Sequence, residues 1–376
     1  MLKKFKVKGF TSFKDELTFD LSSPNAYAFH PECVNNGIVR SVVIHGKNGV
    51  GKSNLGLAIF DIFEQLTDFK VDDSLYRTYL NAELPDDTGM AEFEYTFGFE
   101  GNEVVYSYGK TSLHDFVYEC LSINGNEIIS SNRRSGNTFT CKLPGTETLR
   151  NTVSDNSISV LKYIKANTER DNSTENKVFD SLFEFVSRML YFKCLHFNTY
   201  IAEPPKNNNF LSDIIEADKV GEFETFLRDC GIECNLGVEG EGKRRTIVNI
   251  YGSKAYPLSE VWSTGTNSLS LFFFWTMRML AGKVSFLFID EFDAFYHYSL
   301  SRTVIRYLKD IPPLQFAVTT HNPATISTSL LRPDCYFIMD KSGLLPLSAR
   351  TDRELREAHN LEKMYKANAF TMIPHE

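Results

Sequence analysis

The chain has 376 residues, with 40 Lys and Arg against 48 Asp and Glu and a formal net charge of −8. That balance argues against a generally basic nucleic-acid-binding surface, and no apolar run approaches the length of a membrane span. A hydrophobic fraction of 42%, with 31 Phe and 17 Tyr, supports a substantial core in one large domain or two.

Ser41 to His45 reads as a short buried strand carrying Val42, Val43 and Ile44. The next eight residues, Gly46-Lys47-Asn48-Gly49-Val50-Gly51-Lys52-Ser53, match G-x-x-x-x-G-K-[ST] in full. Behind them Asn54 to Leu66 places Leu55, Ala58, Ile59 and Ile62 at helical spacing. Strand, glycine loop and helix in that order form a phosphate cradle. Gly46, Gly49 and Gly51 let the backbone curl so that its N–H groups face inward, and the helix N-terminus adds positive partial charge. Lys52 supplies a cation for the β- and γ-phosphates of ATP, and the Ser53 hydroxyl is a ligand for Mg²⁺. Asn48 on this loop and Asn54 at the start of the helix complete the expected nucleotide-binding set.

Downstream, Met90 to Phe97 alternates as a strand, and Gly101-Asn102 signals a hairpin. Residues 115–145 read as further antiparallel strands with a second turn at Asn124-Gly125. From about 155 to 230 the pattern is helical, as in Val178 to Leu190, broken by a loop at Pro204-Pro205-Lys206-Asn207-Asn208-Asn209. Strand character returns over 246–262. The expected organisation is an α/β head in two parts, 1–110 and 246–376, with a β-then-helical insertion over 111–245. No heptad run fills the middle, so no long coiled-coil arm is expected.

Ser263-Thr264-Gly265-Thr266 precedes a strongly apolar helix, Leu269 to Leu280, and taken alone reads as an N-cap. Val284 to Ile289 is apolar apart from Ser285, as a strand buried on both faces should be, and ends in Asp290-Glu291. Carboxylates there sit at the ligand-binding edge of an α/β sheet. Asp290 is expected to bind Mg²⁺, directly or through water, and Glu291 to act as general base or to orient water. Gln315 to Thr319 reads as another strand, with His321 at its end, while His297 reads as structural. Arg133-Arg134 and Lys243-Arg244-Arg245 read as solvated loop charges. Seven cysteines without metal spacing, and no signal peptide, fit a reducing cytoplasm.

Together these segments resemble the ABC-type ATPases related to SMC and OLD proteins, within the AAA-type ATP-binding family of bacterial phage-defence systems such as PARIS and Septu. The opening Phe5-Lys6-Val7-Lys8-Gly9-Phe10-Thr11-Ser12-Phe13 resembles the start of those heads. Thr319-Thr320-His321-Asn322-Pro323 resembles their histidine loop, and Leu355 to Tyr365 resembles their closing helix. The resemblance implies an ABC-ATPase head with a P-loop sheet and an antiparallel β lobe. It makes Ser263 to Thr266 the signature that reaches the γ-phosphate on a second head, through Ser263 and the N–H of Gly265. His321 becomes the switch that touches the γ-phosphate, Lys52, Glu291 and His321 the catalytic set, and Asp293 part of a loop crossing the dimer interface.

Two departures qualify the resemblance. Gln65 and Gln315 are not placed to act as a Gln loop, and the 55 residues after His321 are too few for the Toprim nuclease of OLD enzymes. The resulting expectation is a cytoplasmic homodimer or higher oligomer that switches a co-encoded nuclease effector, with a phage protein or nucleic acid as trigger and no membrane association. Two rivals remain: a ribonuclease of HEPN type, from the spacing of Arg353 and His359, and a DNA-repair or recombination ATPase.

Overall fold

The computed structural model describes residues 1–76, 78–85, 89–193, 199–202, 210–262, 264–293 and 298–371. Alternation of apolar and charged residues builds the first strands. β1 (Leu2–Lys8) buries Leu2, Phe5 and Val7, while Lys4 and Lys6 pair with Asp20 and Glu94 on its neighbours. β2 (Leu17–Asp20) is followed by the short β3 (Val34–Asn35) and β4 (Ile38–Val39), then by β5 (Ser41–Gly46), buried at every position. α1 (Lys52–Leu66) begins ahead of the expected Asn54.

The hairpin of β6 (Ala91–Phe99) and β7 (Asn102–Lys110) closes on Glu100 and Gly101, with φ of 49° and 85°. That of β8 (Phe116–Ile123) and β9 (Asn126–Asn132) closes on Asn124 and Gly125, with φ of 50° and 79°. Two left-handed residues in succession match the twist of the flanking strands. After β10 (Phe139–Cys141), Ser159 and Ser173 cap α2 (Val160–Asn167) and α3 (Thr174–Ser187).

The helical reading of 155–230 is interrupted here by β11 (Met189–Lys193) and β12 (Thr199–Ile201). The reason is physical: β11 continues the apolar run of α3 with only Arg188 between them, and periodicity cannot tell a short apolar strand from more helix. α4 (Phe210–Glu216), α5 (Val220–Asp229), β13 (Leu236–Glu239), β14 (Thr246–Tyr251), β15 (Lys254–Pro257) and α6 (Leu258–Val261) follow. α7 (Thr264–Leu280) is the longest described helix at 17 residues, and among the described residues there is no coiled-coil arm. β16 (Phe286–Asp290), α8 (Tyr298–Lys309), β17 (Gln315–Thr320), β18 (Tyr336–Asp340) and β19 (Gly343–Pro346) complete the core. The expected closing helix shortens to α9 (Leu361–Lys366), capped by Asn360, and 351–360 is irregular.

Two seven-stranded sheets result. One is antiparallel, in the order β10-β9-β8-β7-β6-β1-β2. The other runs β12-β11-β16-β17-β5-β18-β19, and its five inner strands are mutually parallel. This is the expected α/β architecture of a P-loop sheet beside an antiparallel β lobe.

α1 lies between the sheets. A Cβ on Gly56 would come within 2.8 Å of the Phe288 ring on the parallel sheet, so glycine permits the close approach. On the other side the Tyr95 hydroxyl donates to Ala58 O at 2.9 Å. Asp61 accepts from Tyr79 and Tyr108 at 3.0 Å and from Lys110 at 3.0 and 3.1 Å. Gln315 joins the sheets at a second point, accepting from Leu2 N at 2.9 Å and donating to Leu2 O at 2.8 Å. Among the described residues no helix is long and apolar enough to cross a membrane.

The Asp61–Lys110 pair is fully buried. Removing one partner strands the other charge, so Lys110→Met is expected to cost about 3–5 kcal/mol of stability. Asp61→Asn combined with Lys110→Met should cost less than Lys110→Met alone. Urea denaturation midpoints of the three proteins check this; a double variant no more stable than the single would contradict it.

Candidate functional site

The loop expected to cradle phosphate is built as its glycines require. β5 carries the chain to the sheet edge at Gly46; Gly49 and Gly51 then take φ of 77° and 103°, a region that side chains disfavour. Gly51 is the N-cap of α1 and offers no side chain to its first N–H groups, which leaves them for an anion. Lys47, Asn48 and Gly49 form an exposed rim. Lys52 is buried and folds back over the loop, its Nζ donating to Gly46 O at 3.0 Å and Lys47 O at 3.1 Å. Burial lowers its pKa, with Glu291 and Asp290 opposing. Asn54 donates to Ser12 Oγ at 2.9 Å, so the Phe10–Phe13 segment walls the cradle. Ser53 follows Lys52, and its carbonyl accepts from the Tyr191 hydroxyl at 3.3 Å.

The acidic edge depends on strand order. β17 lies between β5 and β16, so its last residues fall between the cradle and the carboxylates. Thr319, fully buried, donates to Asp290 Oδ1 at 2.8 Å and accepts from Glu291 N at 2.7 Å. Glu291 is held at φ 51°, a conformation uncommon for a residue with a side chain. Thr320 donates to Asp293 Oδ2 at 2.6 Å, and burial raises the Asp293 pKa. His321 stands exposed at the end of β17, and Asn322 caps the turn behind it by accepting from Ala324 N at 3.0 Å.

His45, on β5 beneath the cradle, is buried with Nε2 3.3 Å from Thr325 Oγ1. Burial holds its pKa down at about 3, and His321 and Lys52 push it the same way. Lys52, Asp290, Glu291 and His321 therefore share one edge of the parallel sheet. Sequence motifs give no role to His45 or Tyr191, and they include Thr319 in the histidine-loop segment without giving it a role of its own; the Thr-Thr pair ahead of His321 is the available signal for it.

Other expected positions fare differently. Gly265 falls in the first turn of α7, which starts earlier than Leu269, so the Thr264–Thr266 segment enters the helix. Ser263 and His297 lie outside the described residues. Arg133 is not a solvated loop charge: it is nearly buried and bonds Asp155 O at 2.8 Å and Glu119 at 3.4 Å. Glu119, buried beneath it, needs that charge and so draws Arg133 inward. Arg353 and His359 share no helix; His359 Nδ1 accepts from Arg356 N at 3.1 Å within the irregular segment.

His45 yields a test of pH dependence. Its folded pKa lies below the ordinary 6.5, so folding excludes a proton that the unfolded chain takes up. Its contribution is complete above pH 6.5 and is lost as pH falls toward about 3. The slope cannot exceed about 1.4 kcal/mol per pH unit for one proton. His45→Asn should therefore lose less stability than the wild type between pH 7 and pH 5 in urea denaturation. Equal losses would remove His45 as the cause.

Residues 242–327 match the family described as "AAA domain, putative AbiEii toxin, Type IV TA system". No curated protein matches the chain. Solved structures similar to it include the SMC head domain from Thermotoga maritima, 16% identical with a TM-score of 0.43 over 92% of this chain and 98% of that one. An Smc head bound to the C-winged helix domain of ScpA is 15% identical, TM-score 0.48, over 92% and 96%. The recombination mediator RecF of the RecFOR pathway is 13% identical, TM-score 0.41, over 92% and 98%. The matched segment 242–327, which holds Asp290, Glu291 and His321, is thus similar to an AAA-family ATPase domain.

Proposed function

We propose that this chain binds and hydrolyses ATP as an ABC-type head, two protomers enclosing each nucleotide, and serves as the switch of a cytoplasmic anti-phage defence system. The observation that carries the reading is the Thr319 bridge, which fixes Asp290 and Glu291 at the same sheet edge as the cradle of Lys52. Lys52 would exchange the carbonyls of Gly46 and Lys47 for the β- and γ-phosphates. The open N–H groups of α1 would take the remaining phosphate charge.

Mg²⁺ fits the donors present: the Ser53 hydroxyl and the Asp290 carboxylate are hard oxygen ligands, and Thr319 occupies only Oδ1 of Asp290. When bound, the ion would neutralise charge on the phosphates. Glu291, its backbone anchored by Thr319, would orient a water whose oxygen bonds to the γ-phosphorus. The bond from that phosphorus to the oxygen it shares with the β-phosphate breaks, giving ADP and phosphate, and the proton passes to Glu291. His321 would contact the γ-phosphate and register its loss, and Ser263 with the N–H of Gly265 would reach the nucleotide on the second protomer.

A closed and an open dimer offer different surfaces, so a separate toxic effector, a nuclease, would be held by one and released by the other. A phage protein or nucleic acid would trigger the change. The toxin–antitoxin wording of the matched family supports this setting. The same wording favours a second reading, in which this chain is itself the toxic member.

Glu291→Gln is expected to bind ATP but hydrolyse it at least about 100-fold more slowly, the scale of losing a general base. Lys52→Ala should lose binding. Ser263→Arg should bind without hydrolysing, and mixing it with Lys52→Ala should restore activity, because one composite site then has both motifs intact. No recovery after confirmed subunit exchange would argue against a shared site.

The purified chain should cleave neither DNA nor RNA, and toxicity on expression should require the partner gene. Toxicity of the chain alone would favour the second reading.

A further inference from the structure

We propose that Lys193 is a second phosphate-binding cation of this site, facing the terminal phosphate of a bound nucleoside triphosphate from the flank opposite β5. The proposal rests on the ATP-binding reading above and adds a residue that no motif marks.

Strand register supplies the placement. β11 is the neighbour of β16 on the side away from β17 and β5, and its last residue, Lys193, pairs in parallel register with Asp290. Side chains alternate between faces along both strands. Leu190 and Phe192 on β11 line a small apolar cavity with Leu287 and Ile289 of β16 and with Phe272, Trp275 and Met279 of α7. The alternate residues must face the other way, toward α1.

Tyr191 confirms that direction, since its hydroxyl bonds Ser53 O at 3.3 Å and its ring lies 5.3 Å from Phe60 of α1. Phe288 does the same on β16, against Gly56. Lys193 and Asp290 therefore project from the same face, one pleat beyond Tyr191 and Phe288, on the side of Lys52 and Ser53.

The charges agree with the geometry. Lys193 is partly buried, and its electrostatic partners are Asp290 and Glu291. Lys52 faces the same two carboxylates. Among the described residues neither lysine closes an ion pair with either carboxylate, and Lys52 bonds loop carbonyls instead. Asp290 and Glu291 alone would repel an incoming polyanion, most strongly at its terminal phosphate. A cation on their outer flank offsets that repulsion at the one phosphate that ADP lacks. Lys193 should therefore discriminate triphosphate from diphosphate.

The test is isothermal titration of the full chain with Mg²⁺ and either ADP or a non-hydrolysable ATP analogue, in wild type, Lys193→Ala and Lys193→Arg. Lys193→Ala should lower the preference for the analogue over ADP at least about 10-fold, the scale of losing one charge-assisted contact, while ADP affinity stays within about 2-fold. Lys193→Arg should keep most of the preference. Lys193→Met retains the aliphatic stem and takes the place of the alanine variant if the latter fails to fold.

An unchanged preference would overturn the proposal, and so would a parallel loss of both nucleotides. Binding of neither nucleotide by the wild type would instead overturn the ATP-binding reading, and this proposal with it.

Discussion

One hydroxyl organises the candidate site. Thr319 Oγ1 gives its proton to Asp290 and receives the N–H of Glu291, so the Asp290 carboxylate and the Glu291 backbone are set by the strand beside them. The arrangement needs β17 between β16 and β5, because only a neighbouring strand brings a threonine within reach of both groups. It also holds Glu291 at a left-handed φ that a free turn would abandon. The next residue, Thr320, fixes Asp293 in the same way, so successive threonines hold the acidic turn on both sides before His321 emerges into solvent.

The cradle is held from beneath and behind. α1 begins at the phosphate loop and runs between the two sheets, pressed on Phe288 at Gly56 and tied to the antiparallel sheet through Ala58 O and Asp61. A change at the loop thus meets a helix that both sheets contact. Gln315 binds Leu2 on the other sheet from the start of β17, the strand that ends at His321. These contacts join the candidate nucleotide edge to the antiparallel lobe, as the proposed switch would require if γ-phosphate loss is to be felt at a distance.

The candidate site was legible wherever the expected chemistry demands particular residues in sequence order. Glycines that must curl a loop, a lysine for phosphate and carboxylates ending an apolar strand are local requirements, and Gly46 to Ser53 and Asp290-Glu291 meet them in place. The turn at Asn124-Gly125 was legible for the same reason, since left-handed backbone selects its residues, whereas the first hairpin turns on Glu100-Gly101, one residue ahead of the expected Gly101-Asn102. What pattern reading lost were choices made by tertiary contact. Met189 to Phe192 is apolar enough for helix or strand, and its pairing with β16 decides the matter. With that strand missed, Lys193 could not be placed beside Asp290. Arg133 reads as a surface charge until the buried Glu119 draws it in. The tail from Arg353 to His359 carries helix-forming residues but no helix.

The central claim is that the nucleotide edge is completed by a second protomer, and the solution mass of the wild-type chain in each nucleotide state tests it most directly. Light scattering with Mg²⁺ and a non-hydrolysable ATP analogue should give twice the mass found with ADP, in units of the 42.9 kDa chain. The same mass in both states, at concentrations where both nucleotides are bound, would contradict the account.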